Sequence, residues 1–203
     1  MNIENWETAG SMGPLYQELQ QLGLETNIAE LEAFGYTIIP PEKIGPDGWH
    51  IELKDALEGV VQRRFGDLSE DIDRWNDVND NLRFLMWEDE RFEKYAYNPA
   101  GLGLAQYLLG TNCILSLCNG WVKGQGEART GIHGDYLDPT PDAHPGLNVN
   151  ANVHYFLTDY NKKDGAVSFL PGSHKWRRQV SPPESKYWAD RAVAVDAPAG
   201  SAV

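Results

Sequence analysis

The hydrophobic pattern of this chain changes at Gly110, and that change limits the folds open to it. Before it, apolar residues recur at helical spacing; after it, they gather into short runs divided by glycine and proline. In LYQELQQLG, Leu15, Leu19 and Leu22 form one helical stripe that stops at a glycine. Asn27 stands where it would cap IAELEAFG, with Glu30 three residues on as the other half of a capping box. YTIIPP predicts a short β stretch ended by prolines. Asp47 is placed to cap a helix from about Trp49 to Phe65, in which Ile51, Leu53, Leu57, Val60 and Val61 keep the helical period. The acidic stretch 67–81 predicts a loop. LRFLMWEDERFEKYAYNP predicts one helix ending near Pro99, and GLGLAQYLLG another short one.

Beyond Gly110, CILSLCNGWV (113–122), VNANVHYFLT (149–158) and GAVSFLPG (165–172) have strand composition. Turn sequences separate them: KGQGEARTG, DPTPDAHPG, DYNKKDG and PPES. The expectation is an α+β chain with a sandwich or barrel as its β part. Residues 1–110 would be mainly helical and pack on a β-rich 111–203, the two forming one structural domain.

A chain of 203 residues buries enough core to fold without disulfides. Cys113 and Cys118 are five apart, so on a strand they point to opposite faces. That spacing argues against a shared metal or a local disulfide and fits a reducing, cytoplasmic setting. No apolar run reaches the roughly 18 residues of a membrane span, and MNIENWETAGSMG has no signal-peptide pattern. The formal charge of −13 lies wholly in residues 1–110, with 8 basic and 21 acidic side chains, whereas 111–203 balance at 9 and 9. Such a surface repels phosphate backbones and anionic membranes, so neither nucleic acid nor membrane is expected as a partner. A solubilising face accounts for the acidity.

The candidate chemistry begins at H-G-D: His133, Gly134, Asp135. Residues i and i+2 of a strand share a face, with Cα atoms about 6–7 Å apart. An imidazole and a carboxylate so spaced can converge on one metal ion, as two members of a 2-His-1-carboxylate facial triad. The tripeptide alone also suits a surface turn. Along 149–158, Asn150, Asn152, His154 and Phe156 share one face, while Val149, Ala151, Val153, Tyr155 and Leu157 form an apolar one. The polar face predicts solvent or a wet pocket. Asn119 and Thr130 flank the presumed site and either suits a carboxylate contact or a turn; Tyr136 is placed to wall the pocket, and Asn152 to face substrate.

Other patterns fail. DYNKKDG lacks the glycine and the glutamate of a calcium loop. Gly120, Gly124 and Gly126 are followed by no G-K-[ST], and there is no G-x-S-x-G elbow. Asp138, Asp142 and His144 sit in turn composition.

In its order of H-G-D, a strand ending L-T-D, a D-G turn, a further strand and P-G-S-H-K, the chain resembles the phytanoyl-CoA dioxygenase family of Fe(II)- and 2-oxoglutarate-dependent oxygenases. ELEAFGYTIIPPEKI resembles that family's N-terminal helix and strand. The likeness covers roughly 125–203 and, more loosely, 28–65. It implies a double-stranded β-helix (jelly-roll, cupin-like) core packed by N-terminal helices, with His133 and Asp135 as iron ligands. It places His154 near the co-substrate 2-oxoglutarate, and makes Pro171, Gly172, Ser173 and His174 a structural turn. His174 then stabilises that turn by a hydrogen bond instead of ligating. The implied reaction is hydroxylation of a small organic substrate.

The resemblance also implies a second histidine on a later strand, after a turn like APAGS, and an arginine for the distal carboxylate of 2-oxoglutarate. DAPAGSAV reads as the lead-in to that strand, and neither residue follows. Two ligands hold iron less firmly than three. The chain is therefore expected to be the N-terminal portion of an oxygenase that lacks its last strands, the rest absent or supplied by another chain. Two other readings stay open: a non-catalytic jelly-roll binding or scaffold module, and a cupin-like metal-dependent lyase or isomerase. The sequence fixes neither substrate nor oligomeric state.

Overall fold

The computed structural model describes residues 12–67, 82–122, 131–135 and 146–203. The helices lie mostly in the first part: α1 (Met12–Gln21), α2 (Glu25–Phe34), α3 (Pro41–Ile44), α4 (Trp49–Phe65), α5 (Glu90–Ala96) and α6 (Pro99–Leu109). A later helix, α7 (Pro182–Ala189), follows the P-G-S-H turn. Among the described residues no helix is long and apolar enough to cross a membrane.

Several helix ends differ from expectation for tertiary reasons. Asn27 does not cap α2. It lies inside the helix, buried, and donates from Nδ2 to Thr37 Oγ1 at 2.8 Å and to the Ile38 carbonyl at 3.0 Å. Those long-range bonds tie α2 to the following β stretch and outweigh a local cap. Asp47 does not cap α4 either; Gly48, in the left-handed region at φ 78°, takes that position. The segment expected as one helix before Pro99 is broken into a 3₁₀ turn, Leu85–Trp87, and α5. Asp89 supplies the break by capping α5 and accepting from the Arg91 N–H. Asn98 then caps α6, with Pro99 at its first position. α7 corrects the reading of PPES as a simple turn, because proline is compatible with a first helical turn.

The main core gathers Leu15, Leu19, Leu53, Leu57, Val60 and Leu104 from these helices, with Leu24, Leu82 and Leu85 from the segments between them. Trp49 is its junction. Its ring packs on Tyr95 (centroids 4.6 Å) and Tyr155 (5.6 Å), and its Nε1–H donates to the Gly200 carbonyl at 3.1 Å. Burial pushes the Tyr155 phenol well above its ordinary pKa, and its hydroxyl donates to the Tyr95 carbonyl at 2.9 Å.

The C-terminal segment organises the β part. β1 (Ser168–Phe169) and β2 (Val193–Ala194) pair antiparallel, Ser168 opposite Ala194. The same ribbon continues through bridges Tyr160↔Ala197 and Tyr155↔Ala202, and Ala202 also bridges Ile39 on its other side. Between the two pairings the turn Asn161–Gly165 loops out, built on a 3₁₀ turn with Asn161 as its cap. A smaller cluster of Phe156, Val195 and Ala197 lies along this ribbon, with Phe156 stacked on Tyr160 at 4.2 Å. Of the expected strands, 165–172 contains β1 and 149–158 is joined to the ribbon around Tyr155; 113–122 forms no ladder among the described residues. Ile114 there is 87 % exposed. Both cysteines are free thiols.

Candidate metal centre

His133 and Asp135 face each other, with Nε2 and Oδ1 3.2 Å apart. Their remaining polar atoms are occupied. His133 Nδ1 is 2.7 Å from the Gly131 carbonyl oxygen. A carbonyl only accepts, so Nδ1 carries a proton and Nε2 is the nitrogen turned to Asp135. Asp135 Oδ2 accepts from Asn152 Nδ2 at 2.6 Å, and the Asp135 carbonyl accepts from Asn150 Nδ2 at 2.9 Å. In the neutral tautomer, an imidazole lone pair therefore meets a carboxylate oxygen with no proton between them. A cation bound by both atoms resolves that repulsion.

The geometry suits a cation. Ligand atoms about 2.1 Å from a metal and at right angles are about 3 Å apart, close to the spacing here. Hydrogen bonds from the outer atoms of a ligating His and a ligating carboxylate are the usual supports of such sites. The donor set, one imidazole and one carboxylate, fits a borderline metal such as Fe(II) and leaves the rest of the coordination sphere to other groups. Both side chains are about half exposed, 57 % and 52 %. Among the described residues no third His, Cys, Asp or Glu joins the cluster.

The other candidates are placed as follows. Asn152, expected to face substrate, gives its amide to Asp135. His154 is half-buried, and its backbone N–H and C=O pair with Val203 at 2.9 and 3.0 Å. Asn119 lies between Cys118 and Gly120, whose backbone atoms bond Leu85 and Leu82; its Oδ1 is buried without a hydrogen-bond partner. No hydrogen bond among the described residues joins Asn119 to the His133–Asp135 pair. Thr130 and Tyr136 lie outside the described residues, as do Asp138, Asp142 and His144.

His174 sits in the P-G-S-H turn, away from any ligand cluster. Gly172 N–H donates to the Phe34 carbonyl at 2.8 Å, and the His174 ring packs on Gly35, the left-handed C-cap of α2. Burial lowers its pKa, and its Nδ1 is buried without a hydrogen-bond partner among the described residues. The turn thus fastens the C-terminus of α2.

Sequence reasoning passed over Gln179. Its Oε1 accepts from the Gly134 N–H at 3.3 Å and its Nε2 donates to the Gly134 carbonyl at 2.8 Å. No local pattern in R-R-Q-V marks it, because its partner is a backbone group 45 residues away.

An imidazole and a carboxylate thus meet on one short ribbon, each held from behind. Residues 31–203 match the family model for phytanoyl-CoA dioxygenase (PhyH), and the chain belongs to that family. It is similar to a protein named dioxygenase af480 from Aspergillus fumigatus, 31% identical over 129 residues, which are 63% of this chain and 40% of that protein. It is also similar to uncharacterized proteins of Mycobacterium bovis and Mycobacterium tuberculosis. Each is 26% identical over 127 residues, 59% of this chain and 44% of the relative. The chain thus spans less than half the length of these curated relatives. No solved structure matches.

Proposed function

We propose that this chain carries the metal-binding ribbon of an Fe(II)- and 2-oxoglutarate-dependent dioxygenase that hydroxylates a small organic substrate on a jelly-roll core. The observation that carries the reading is the 3.2 Å approach of His133 Nε2 to Asp135 Oδ1, with the opposite atoms of both side chains engaged. Family membership and a relative named as a dioxygenase support it. The jelly-roll core is the part of the reading that rests on family membership.

His133 and Asp135 would hold the iron. The chemistry that Fe(II) would supply there is dioxygen activation, coupling oxidative decarboxylation of 2-oxoglutarate to succinate and CO2 with hydroxylation of a substrate C–H bond. The chain's own residues prepare that chemistry. The Gly131 carbonyl takes the Nδ1 side of His133, so that Nε2 is the nitrogen left to ligate. Asn152 takes one carboxylate oxygen of Asp135 and leaves the other to ligate. The third protein ligand and the group for the distal carboxylate of 2-oxoglutarate belong, on this reading, to residues other than those described.

The test is anaerobic Fe(II) titration of the full chain, followed by an assay for succinate. Saturable binding that His133→Ala weakens, with succinate formed only when 2-oxoglutarate and oxygen are present, is expected. Iron binding indifferent to His133→Ala ends the proposal. Iron binding without succinate would instead favour a metal-dependent lyase or isomerase.

A further inference from the structure

We propose that Gln179 is the positioning residue of the candidate iron site, acting through the Gly134 peptide unit that joins its two ligands; the proposal rests on the metal reading above. Only Gly134 stands between His133 and Asp135. The relative direction of the two side chains therefore depends on the φ and ψ of that residue, along with ψ of His133 and φ of Asp135, and glycine has the widest choice of both. In a β ladder a neighbouring strand removes that freedom, because the N–H and C=O of one residue point to the same side and bond the same partner. The Gln179 carboxamide does this with a side chain. It accepts from Gly134 N–H at 3.3 Å and donates to Gly134 C=O at 2.8 Å, so both polar atoms of the unit are held at once.

The clamp is itself fixed. Arg178 donates to the Gln179 carbonyl at 3.0 Å and forms a two-pronged pair with Glu184, at 3.0 and 2.7 Å. Glu184 Oε2 also accepts from the N–H and hydroxyl of Ser181, at 3.0 and 2.8 Å, which closes the N-terminus of α7. The same helix supports the ribbon at a second point. A Cβ on Gly131 would lie 2.8 Å from Ser185 Oγ, so helix and ribbon meet there without room for a side chain. Gly131 is the residue whose carbonyl fixes the His133 ring. α7 thus backs Gly131 directly and the Gly134 clamp through the Arg178–Glu184 pair. Asn150 and Asn152 hold Asp135 from the strand that follows.

The experiment compares wild type, Gln179→Met and Gln179→Asn as full chains. Methionine keeps the length and loses both bonds; asparagine keeps the chemistry and falls one methylene short. Two readouts are used: the Fe(II) dissociation constant under anaerobic conditions, and the hydrogen-exchange rate of the Gly134 amide without metal. Gln179→Met is expected to weaken iron binding by about tenfold or more, the scale of lost outer support at metal sites. Its Gly134 amide should exchange faster, with the metal-free melting temperature close to wild type. Gln179→Asn should fall between them, and carries the test if the methionine variant does not fold. Iron affinity equal to wild type in the variants, while His133→Ala still weakens it, overturns the clamp alone. Iron binding that is insensitive to His133→Ala overturns the metal reading and the clamp with it.

Discussion

Asn152 donates to Oδ2 of Asp135 at 2.6 Å while Oδ1 of the same carboxylate looks toward His133 at 3.2 Å. The two oxygens are thus divided between a support and a prospective ligand position. Replacing Asn152 by alanine frees the carboxylate to rotate. The expected result is iron binding weaker by about 10–100-fold. Because Asn152 is exposed, stability should change by no more than about 0.5 kcal/mol. Anaerobic titration paired with a melting curve checks both halves.

That contact was half legible in the sequence. Alternation along 149–158 put Asn150 and Asn152 on one face and Val153, Tyr155 and Leu157 on the other. The structure turns the first pair to Asp135 and packs the second set on the core. The period-two rule needs no knowledge of partners, so it survives. Readings that depended on a distant partner did not survive. Asn27 has the chemistry of a cap, yet Thr37 and Ile38 claim it from across a turn. S-P-P-E held a capping box, Ser181 to Glu184, that the two prolines disguised as a loop. Gln179 is invisible locally, since backbone atoms of any residue type would serve as its partner. For 113–122, composition marked a strand, but a strand also needs a neighbour bonded along its length, and the hydrogen bonds of Leu82 and Leu85 with Gly120 and Cys118 stop short of a ladder.

Acid should loosen the N-terminus of α7. The Arg178 guanidinium, helped by the Ser181 N–H and hydroxyl, holds the Glu184 carboxyl down at about 2, against an ordinary value of 4.5. A carboxylate with a depressed folded pKa stabilises the fold above its unfolded value and loses that contribution as pH falls through its folded one. The window runs from about pH 4.5 down to about 2. The melting temperature should therefore decline across it, and Glu184→Gln should flatten that part of the decline. An identical pH profile in the variant would show that the pair contributes nothing. About a third of the Glu184 side chain is open to solvent, so the effect should be modest and should shrink with added salt.

Gly35 joins the helical and β parts. It sits at φ 84°, and a Cβ there would run into the His174 ring. Gly35→Ala therefore meets backbone strain and a collision together, for an expected loss of about 1–3 kcal/mol. Denaturant titration measures it. The control is His174→Ala in the same background. It should recover the part of the loss caused by the collision and leave the part caused by the left-handed backbone.

The Trp49–Gly200 hydrogen bond makes a prediction about the site's surroundings as well as about stability. Trp49→Phe keeps most of the ring packing on Tyr95 and Tyr155 and leaves the buried Gly200 carbonyl without its donor, a loss of about 1–3 kcal/mol. Gly200 N–H donates to the Phe156 carbonyl at 2.7 Å, Phe156 N–H to Ser201 at 2.9 Å, and His154 N–H to Val203 at 2.9 Å. Loosening the turn at Gly200 should thus propagate to the stretch that presents Asn152 to Asp135. Faster hydrogen exchange at the Phe156 and His154 amides, with that of the α1 amides unchanged, is the expected pattern. Uniform acceleration throughout the chain would mean that Trp49 acts on the whole fold and not through this hairpin.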